Sequence, residues 1–117
     1  MKMLKMKRAY DDISKQDGRR ILVDGTWPRG VSKEDLAHDE WYKFLAPSKE
    51  LREWFDHDPG KWDTFKERYF KELGGHKETL KEIKAQSEGH NVTLLYGAKD
   101  EEHNQAAAIK EYIENMD

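Results

Sequence analysis

Polar and apolar residues alternate at the start of the chain. Leu4 and Met6 are interleaved with Lys5 and Lys7, the period-two pattern of a half-buried strand. A polar stretch follows, with Asp17-Gly18 as a turn signal. Residues 20–24 then carry Ile21, Leu22 and Val23 in succession, which suits a strand covered on both faces, as in parallel sheets. Ser32-Lys33-Glu34-Asp35 has the spacing of a capping box and predicts a short helical turn from Lys33. Residues 41–45 fit either a strand or a helix. Pro47-Ser48 signals a helix start, and Leu51, Trp54 and Phe55 fall on one helical face. Asp58 as cap and Pro59 at the first position restart the chain. Trp62, Phe65, Tyr69 and Leu73 form the stripe of that helix, and Gly74-Gly75 is expected to end it. A third helix is predicted over 77–87, with Leu80 and Ile83 turned inward and Gly89 closing it. The last strand is predicted over 92–96. Asp100 is expected to cap a final helix whose apolar face is Ala106, Ile109, Ile113 and Met116.

The order strand, strand, several helices, strand, helix predicts an α/β fold. It should be a small three-layer-type domain with a short, mostly parallel sheet of about three strands packed by helices. At 117 residues the chain has length for one core, so residues 1–117 are read as a single domain. Trp27, Trp41, Trp54 and Trp62 are expected to supply much of the core bulk.

Composition changes this picture in two places. The charged fraction of 38% exceeds the hydrophobic fraction of 36%, so the periodic core must carry a heavily charged surface. Charge is also unevenly placed. Residues 1–33 hold nine Lys/Arg against four Asp/Glu, and the remainder holds twelve against twenty. An anionic partner would be drawn to the first third. Nucleic acid is disfavoured, because a phosphate backbone needs a broad basic face. The absence of cysteine excludes disulfides, thiolate nucleophiles and Cys-based metal sites. No stretch reaches membrane-spanning length, and the basic N-terminus lacks the apolar core of a signal peptide. A cytoplasmic location is the expectation.

Candidate chemistry gathers at two strand ends. The first is the loop Asp24, Trp27, Arg29, Lys33 after the second strand. Arg29 can grip an anion bidentately, Lys33 can add a point charge, Trp27 can form a wall, and Asp24 can act as a base or hold Arg29. A well-packed turn with no ligand accounts for the same residues equally well. The second group is Tyr96, Asp100, His103 and Asn104. If the strands are parallel it lies beside the first, at the carboxyl edge where open α/β sheets bind ligands. His103 can serve as acid or base near neutral pH. Asp100 alone can be only a cap. Arg52, His57 and Asp58 form a third group, read as structural in the main. The five histidines show no metal-ligand spacing, so no metal site is expected.

The motifs of all three groups resemble one family. Arg20-Ile21-Leu22-Val23-Asp24 followed by Trp27-Pro28-Arg29-Gly30-Val31-Ser32-Lys33 is similar to the signature of the YeaO-like proteins, a bacterial and archaeal family of unknown function. Ala46-Pro47-Ser48, Leu51-Arg52, Trp54-Phe55, His57-Asp58-Pro59 and Lys61-Trp62 follow its middle motif. Thr93-Leu94-Leu95-Tyr96, Asp100 and His103-Asn104 follow its last. The resemblance implies a compact α/β/α fold and a cytoplasmic protein, and it supplies no mechanism. In one place the chain departs from the pattern. The family usually places Arg-Leu between the aspartate and the tryptophan, and here Gly25-Thr26 stand there.

The expectation is therefore a domain that binds a small anionic ligand in a cleft between the two loops. Trp27, Arg29, Lys33, Tyr96 and Asn104 would make contact, and Asp24, Asp100 and His103 would act if there is catalysis. Whether it is an enzyme stays open, and nothing in the sequence names a cofactor. The rival is a non-enzymatic interaction module whose acidic helical face meets a basic protein.

Overall fold

Among the described residues four short strands, all parallel, carry the fold: β1 (Leu4–Arg8), β2 (Arg19–Leu22), β3 (Glu40–Trp41) and β4 (Val92–Tyr96), in the order β1-β4-β2-β3. The computed structural model describes residues 3–116; residues 1, 2 and 117 lie outside the described residues. β4 is buried along its whole length, as an apolar strand between two neighbours should be. It pairs with β1 from Leu4↔Val92 to Arg8↔Tyr96 and with β2 from Arg19↔Val92 to Leu22↔Leu95. The ambiguous stretch at 41–45 divides. Its first residue belongs to the two-residue edge strand β3, and Lys43–Leu45 is a 3-10 turn.

Alternation of side chains sorts the sheet into two faces. Ile21, Val23, Val92, Leu94 and Tyr96 enter the larger core. That core is closed by helices α2 (Lys49–Phe55), α3 (Trp62–Leu73), α4 (Lys77–Gly89) and α5 (Gln105–Glu114). Leu22 and Leu95 face the other way, against Ala9 and against Leu36 of the one-turn helix α1 (Lys33–Leu36). Each such aliphatic side chain stabilises the fold by about 1.5–3 kcal/mol when fully buried. Ser32 caps α1 by accepting from the Asp35 N–H, as its spacing predicts.

One expectation is sharpened and two are corrected. Gly74-Gly75 ends α3 at Leu73 as expected, but without a left-handed turn. Gly74 has φ −59°, and a 3-10 turn over Gly74–His76 carries α3 into α4. The four tryptophans are half-buried and pack around the cores instead of filling them. A large ring with one N–H tends to stay at a core's margin, where a carbonyl is in reach. Trp27 Nε1 donates to the Val31 carbonyl at 2.6 Å and Trp41 Nε1 to the Asp24 carbonyl at 2.8 Å.

The second correction concerns Asp17, read from sequence as part of a polar turn. Its side chain is fully buried beneath the smaller core. Lys7 Nζ lies 2.8 Å from one carboxylate oxygen, and Arg20 Nη1 pairs with the other. Arg20 also donates from Nε and Nη2 to the Leu36 carbonyl at 3.0 and 2.7 Å, so the same guanidinium holds the end of α1. Burial opposes the charge on Asp17. Lys7, the Ser14 N–H and Arg20 together outweigh it and hold the carboxyl below its ordinary value.

Candidate functional site

The parallel sheet brings the ends of β2 and β4 side by side, because Val23 still donates to Leu95 at 3.1 Å one residue past the paired ladder. Beyond that point the chains separate and a cavity of about 670 Å³ opens at the carboxyl edge. This is where open α/β sheets usually hold ligands. Its floor is apolar, from Ala46, Pro47, Phe55 and Phe65. Its polar groups come from four separate stretches. Asp24 and Thr26 follow β2, Arg52 and His57 come from α2 and its end, and Lys99 and Asp100 follow β4. His103, Asn104 and Gln105 lead into α5.

Asp24 sits in the wall with both carboxylate oxygens engaged. The Gly97 N–H donates to one at 2.8 Å, and the Gln105 side-chain amide donates to the other. Among the described residues no cation pairs with it. Burial therefore dominates and pushes its carboxyl up to about 6, against the pull of those two donors.

Asp100 does not cap the final helix. It closes the preceding loop, where its Oδ1 accepts from the Glu102 and His103 N–H groups at 2.9 and 3.0 Å. Those backbone donors, and then the His103 ring, hold its carboxyl below the usual range. Its Oδ2 lies 2.9 Å from His103 Nδ1, which fixes the ring, and Nε2 has no hydrogen-bond partner among the described residues. The ring also meets Trp62 edge-on at 5.4 Å between centroids. Asn104 is the actual cap of α5. Its Oδ1 accepts from the Ala107 N–H at 2.8 Å, and its Nδ2 donates to the Asp100 carbonyl at 2.9 Å. The capping duty assigned to Asp100 thus belongs to a residue to which the sequence reading gave none.

The cleft unites part of the first group, part of the second and part of the third. Asp24, Asp100, His103 and Asn104 line it; Trp27, Arg29, Lys33 and Tyr96 are not among its lining residues. Trp27 packs on the opposite face of the sheet against His38 and Trp41. Arg29 is exposed on the loop around that face, and Lys33 is exposed at the first position of α1. Tyr96 is buried in the larger core, and burial raises its hydroxyl pKa. The geometric reason is that Asp24 ends the strand run toward the helix-side cleft, whereas the loop after Gly25 crosses to cover the smaller core.

Arg52 and His57, read as structural, line the cavity instead. Asp56 and His57 take successive left-handed conformations, with φ 46° and 53°. For residues other than glycine that costs about 1 kcal/mol each, and such strain gathers at sites. The Asp56 N–H closes α2 on the Arg52 carbonyl at 3.0 Å, and the chain then turns to set His57 at the rim. Thr26, Lys99 and Gln105 were missed altogether. Gln105 follows the Asn104 cap directly, and recognising that cap would have pointed to it. Gly25, at the departure from the family pattern, lines the cavity too, and a side chain there would meet only Ala46. No group of three or more His, Cys, Asp or Glu suited to a metal ion occurs among the described residues.

Comparison with known proteins gives one family model, described as the inactive DUF488-N3 subclade, matched over residues 3–116. The chain is 40% identical to the uncharacterized protein YeaO of Escherichia coli K12 over 97% of its own length and 98% of that protein's. It is 49% identical to the uncharacterized protein Rv3073c of Mycobacterium tuberculosis H37Rv over 60% of its length and 59% of that protein's. The uncharacterized protein Mb3100c of Mycobacterium bovis matches to the same extent. No solved structure matches.

Proposed function

The chain belongs to the inactive DUF488-N3 subclade, and from that premise we propose that it binds a small anion-bearing molecule in the carboxyl-edge cleft without turning it over. The observation that carries this reading is that Arg52 and Lys99 both line one cavity whose lining also includes Ala46, Pro47, Phe55 and Phe65. Neither takes part in an ion pair among the described residues. An arginine fork and an ammonium can hold a carboxylate or phosphate, and a cavity of this size admits a metabolite-sized body. The subclade's description favours binding without chemistry. So does the filling of the Asn104 amide by its own loop, which leaves one polar group fewer for a substrate.

The test is the full chain titrated with phosphate, acetate, hexanoate and citrate by calorimetry and by thermal shift. Binding of at least one anion, weakened tenfold or more by Arg52→Ala, is expected. Affinity unchanged in Arg52→Ala and Lys99→Ala would refute the reading.

A second reading, acid–base catalysis, rests on His103 and Asp24. The ring is oriented by Asp100 with Nε2 unpartnered among the described residues, and a carboxyl with a pKa near 6 lies in the same cleft. It predicts turnover of some ester or phosphoester with an acidic limb near that pH, abolished by His103→Ala. No turnover across such a panel leaves the binding reading alone.

A further inference from the structure

Asp24 is a mostly buried carboxylate in the wall of a cavity, and among the described residues no cation pairs with it. Native proteins rarely leave such a group uncompensated, because an ion taken out of water needs a partner. Gly97 and Gln105 supply one donor each. A carboxylate has about four acceptor positions, so about two remain open. The compensating cations in this cleft stand elsewhere, on Arg52 and Lys99. Charge is thus divided within one cavity: Asp24 in the wall holds two neutral donors and no cation, Asp100 is engaged by the His103 ring, Arg52 and Lys99 form no ion pair among the described residues, and Phe55 and Phe65 add apolar lining.

We propose that the ligand of this cleft is an amino carboxylate, whose ammonium group is bound by Asp24 and whose carboxylate is bound by Arg52 and Lys99. This rests on the anion-binding reading above and deepens it by assigning the second end of the ligand. An ammonium brings three donors to the open acceptor positions of Asp24 and cancels its charge where water is scarce. A simple anion gains the two cations but leaves Asp24 uncompensated, and its own charge is repelled by it. An amine without an acid meets the reverse mismatch. The apolar floor favours a body of several methylenes or an aryl ring between the two ends.

The experiment compares matched pairs on the full chain: 4-aminobutyrate with butyrate, 6-aminohexanoate with hexanoate, and L-phenylalanine with 3-phenylpropionate. Affinities are measured by calorimetry at pH 7.5 for the wild type, Asp24→Asn and Arg52→Ala. At least one amino acid is expected to bind ten times or more tighter than its partner acid, and Asp24→Asn is expected to shrink that ratio below twofold. The asparagine keeps the shape and the Gly97 hydrogen bond, so thermal melting confirms that the variant is folded. Equal binding of amine and acid, with both weakened by Arg52→Ala, would overturn the amino-carboxylate assignment and leave the anion reading intact. The same follows if citrate or phosphate binds through Arg52 and no amino acid does. Binding that ignores Arg52→Ala, or none by any probe, overturns both.

Discussion

The Asp24 carboxylate accepts the backbone N–H of Gly97 at 2.8 Å, so the ends of β2 and β4 are tied by a side chain just where their ladder stops. This contact places an acid in the cleft, and it also couples that acid to stability. Burial lifts the Asp24 carboxyl from its ordinary value of 3.8 to about 6 in the folded protein. The folded protein therefore holds this proton more tightly than the unfolded chain. Its contribution is fully present below pH 3.8 and is lost as pH rises through about 6. The loss is of order 3 kcal/mol, at 1.36 kcal/mol per unit of pKa. Asp24→Asn cannot ionise and keeps the acceptor for Gly97. Urea unfolding at pH 4.5 and 7.5 should show the variant gaining on the wild type by about 1–3 kcal/mol at the higher pH. A gap that does not change with pH would mean that Asp24 is not uncompensated.

Gly18 follows the buried Asp17 with φ 63°, and a Cβ there would collide with the Asn91 backbone carbonyl. Gly30 has φ 80° with nothing near it. Gly18→Ala should therefore cost several kcal/mol or prevent folding, since backbone and not a flexible side chain must move. Gly30→Ala should cost about 1 kcal/mol, the conformational term alone. Chemical denaturation of the two variants separates close approach from φ. Similar losses would show that the approach to Asn91 is relaxed in solution.

The Asp17–Arg20 pair is buried on both sides, with side-chain exposures of 1% and 4%. Removing one partner strands the other, so Asp17→Ala should destabilise by about 3–5 kcal/mol. The carboxyl is held below its ordinary value, so its contribution is present above pH 3.8 and lost as pH falls through the folded pKa. This is opposite in sign to Asp24. Acid titration of Asp17→Asn should accordingly show a weaker loss of stability below pH 4 than the wild type. A double substitution, Asp17→Leu with Arg20→Met, should recover only part of the single-variant loss, because it removes the stranded guanidinium but also takes two donors from the Leu36 carbonyl and leaves Lys7 without Asp17.

These cases mark how far the sequence could be read. Three of the strands and the four longer helices follow from apolar periodicity, because the burial of Ile21, Leu94, Tyr69 or Ile109 is what periodicity records. β3 escaped because two residues carry no period. Asp17 escaped because a turn signal says nothing about what lies under the turn. Asp24, Asp100 and His103 line one cavity because β2 and β4 are parallel and also adjacent in the sheet, and the adjacency was not readable from the chain order. Which face each loop takes was not readable. Asp24 faces the helical side, whereas the loop from Trp27 to Lys33 covers the other, and only packing of Trp27 on His38 and Trp41 decides that.

Arg29 and Arg52 provide the comparison that follows from this division. The loop motif made Arg29 the natural anion ligand, yet it is exposed and outside the cavity lining, whereas Arg52 lines the cavity. Both are surface arginines, and exposed substitutions usually change stability by no more than about 0.5 kcal/mol. Neither Arg29→Ala nor Arg52→Ala should shift the melting temperature by more than about 2 °C. Their effects on ligand should differ. Arg52→Ala should weaken binding of whichever anion or amino carboxylate the wild type holds by tenfold or more, and Arg29→Ala by less than twofold. Calorimetry on the two variants side by side decides between the loop and the cleft. If Arg29→Ala is the one that abolishes binding, the ligand sits on the Trp27 face of the sheet and the cleft is scaffold.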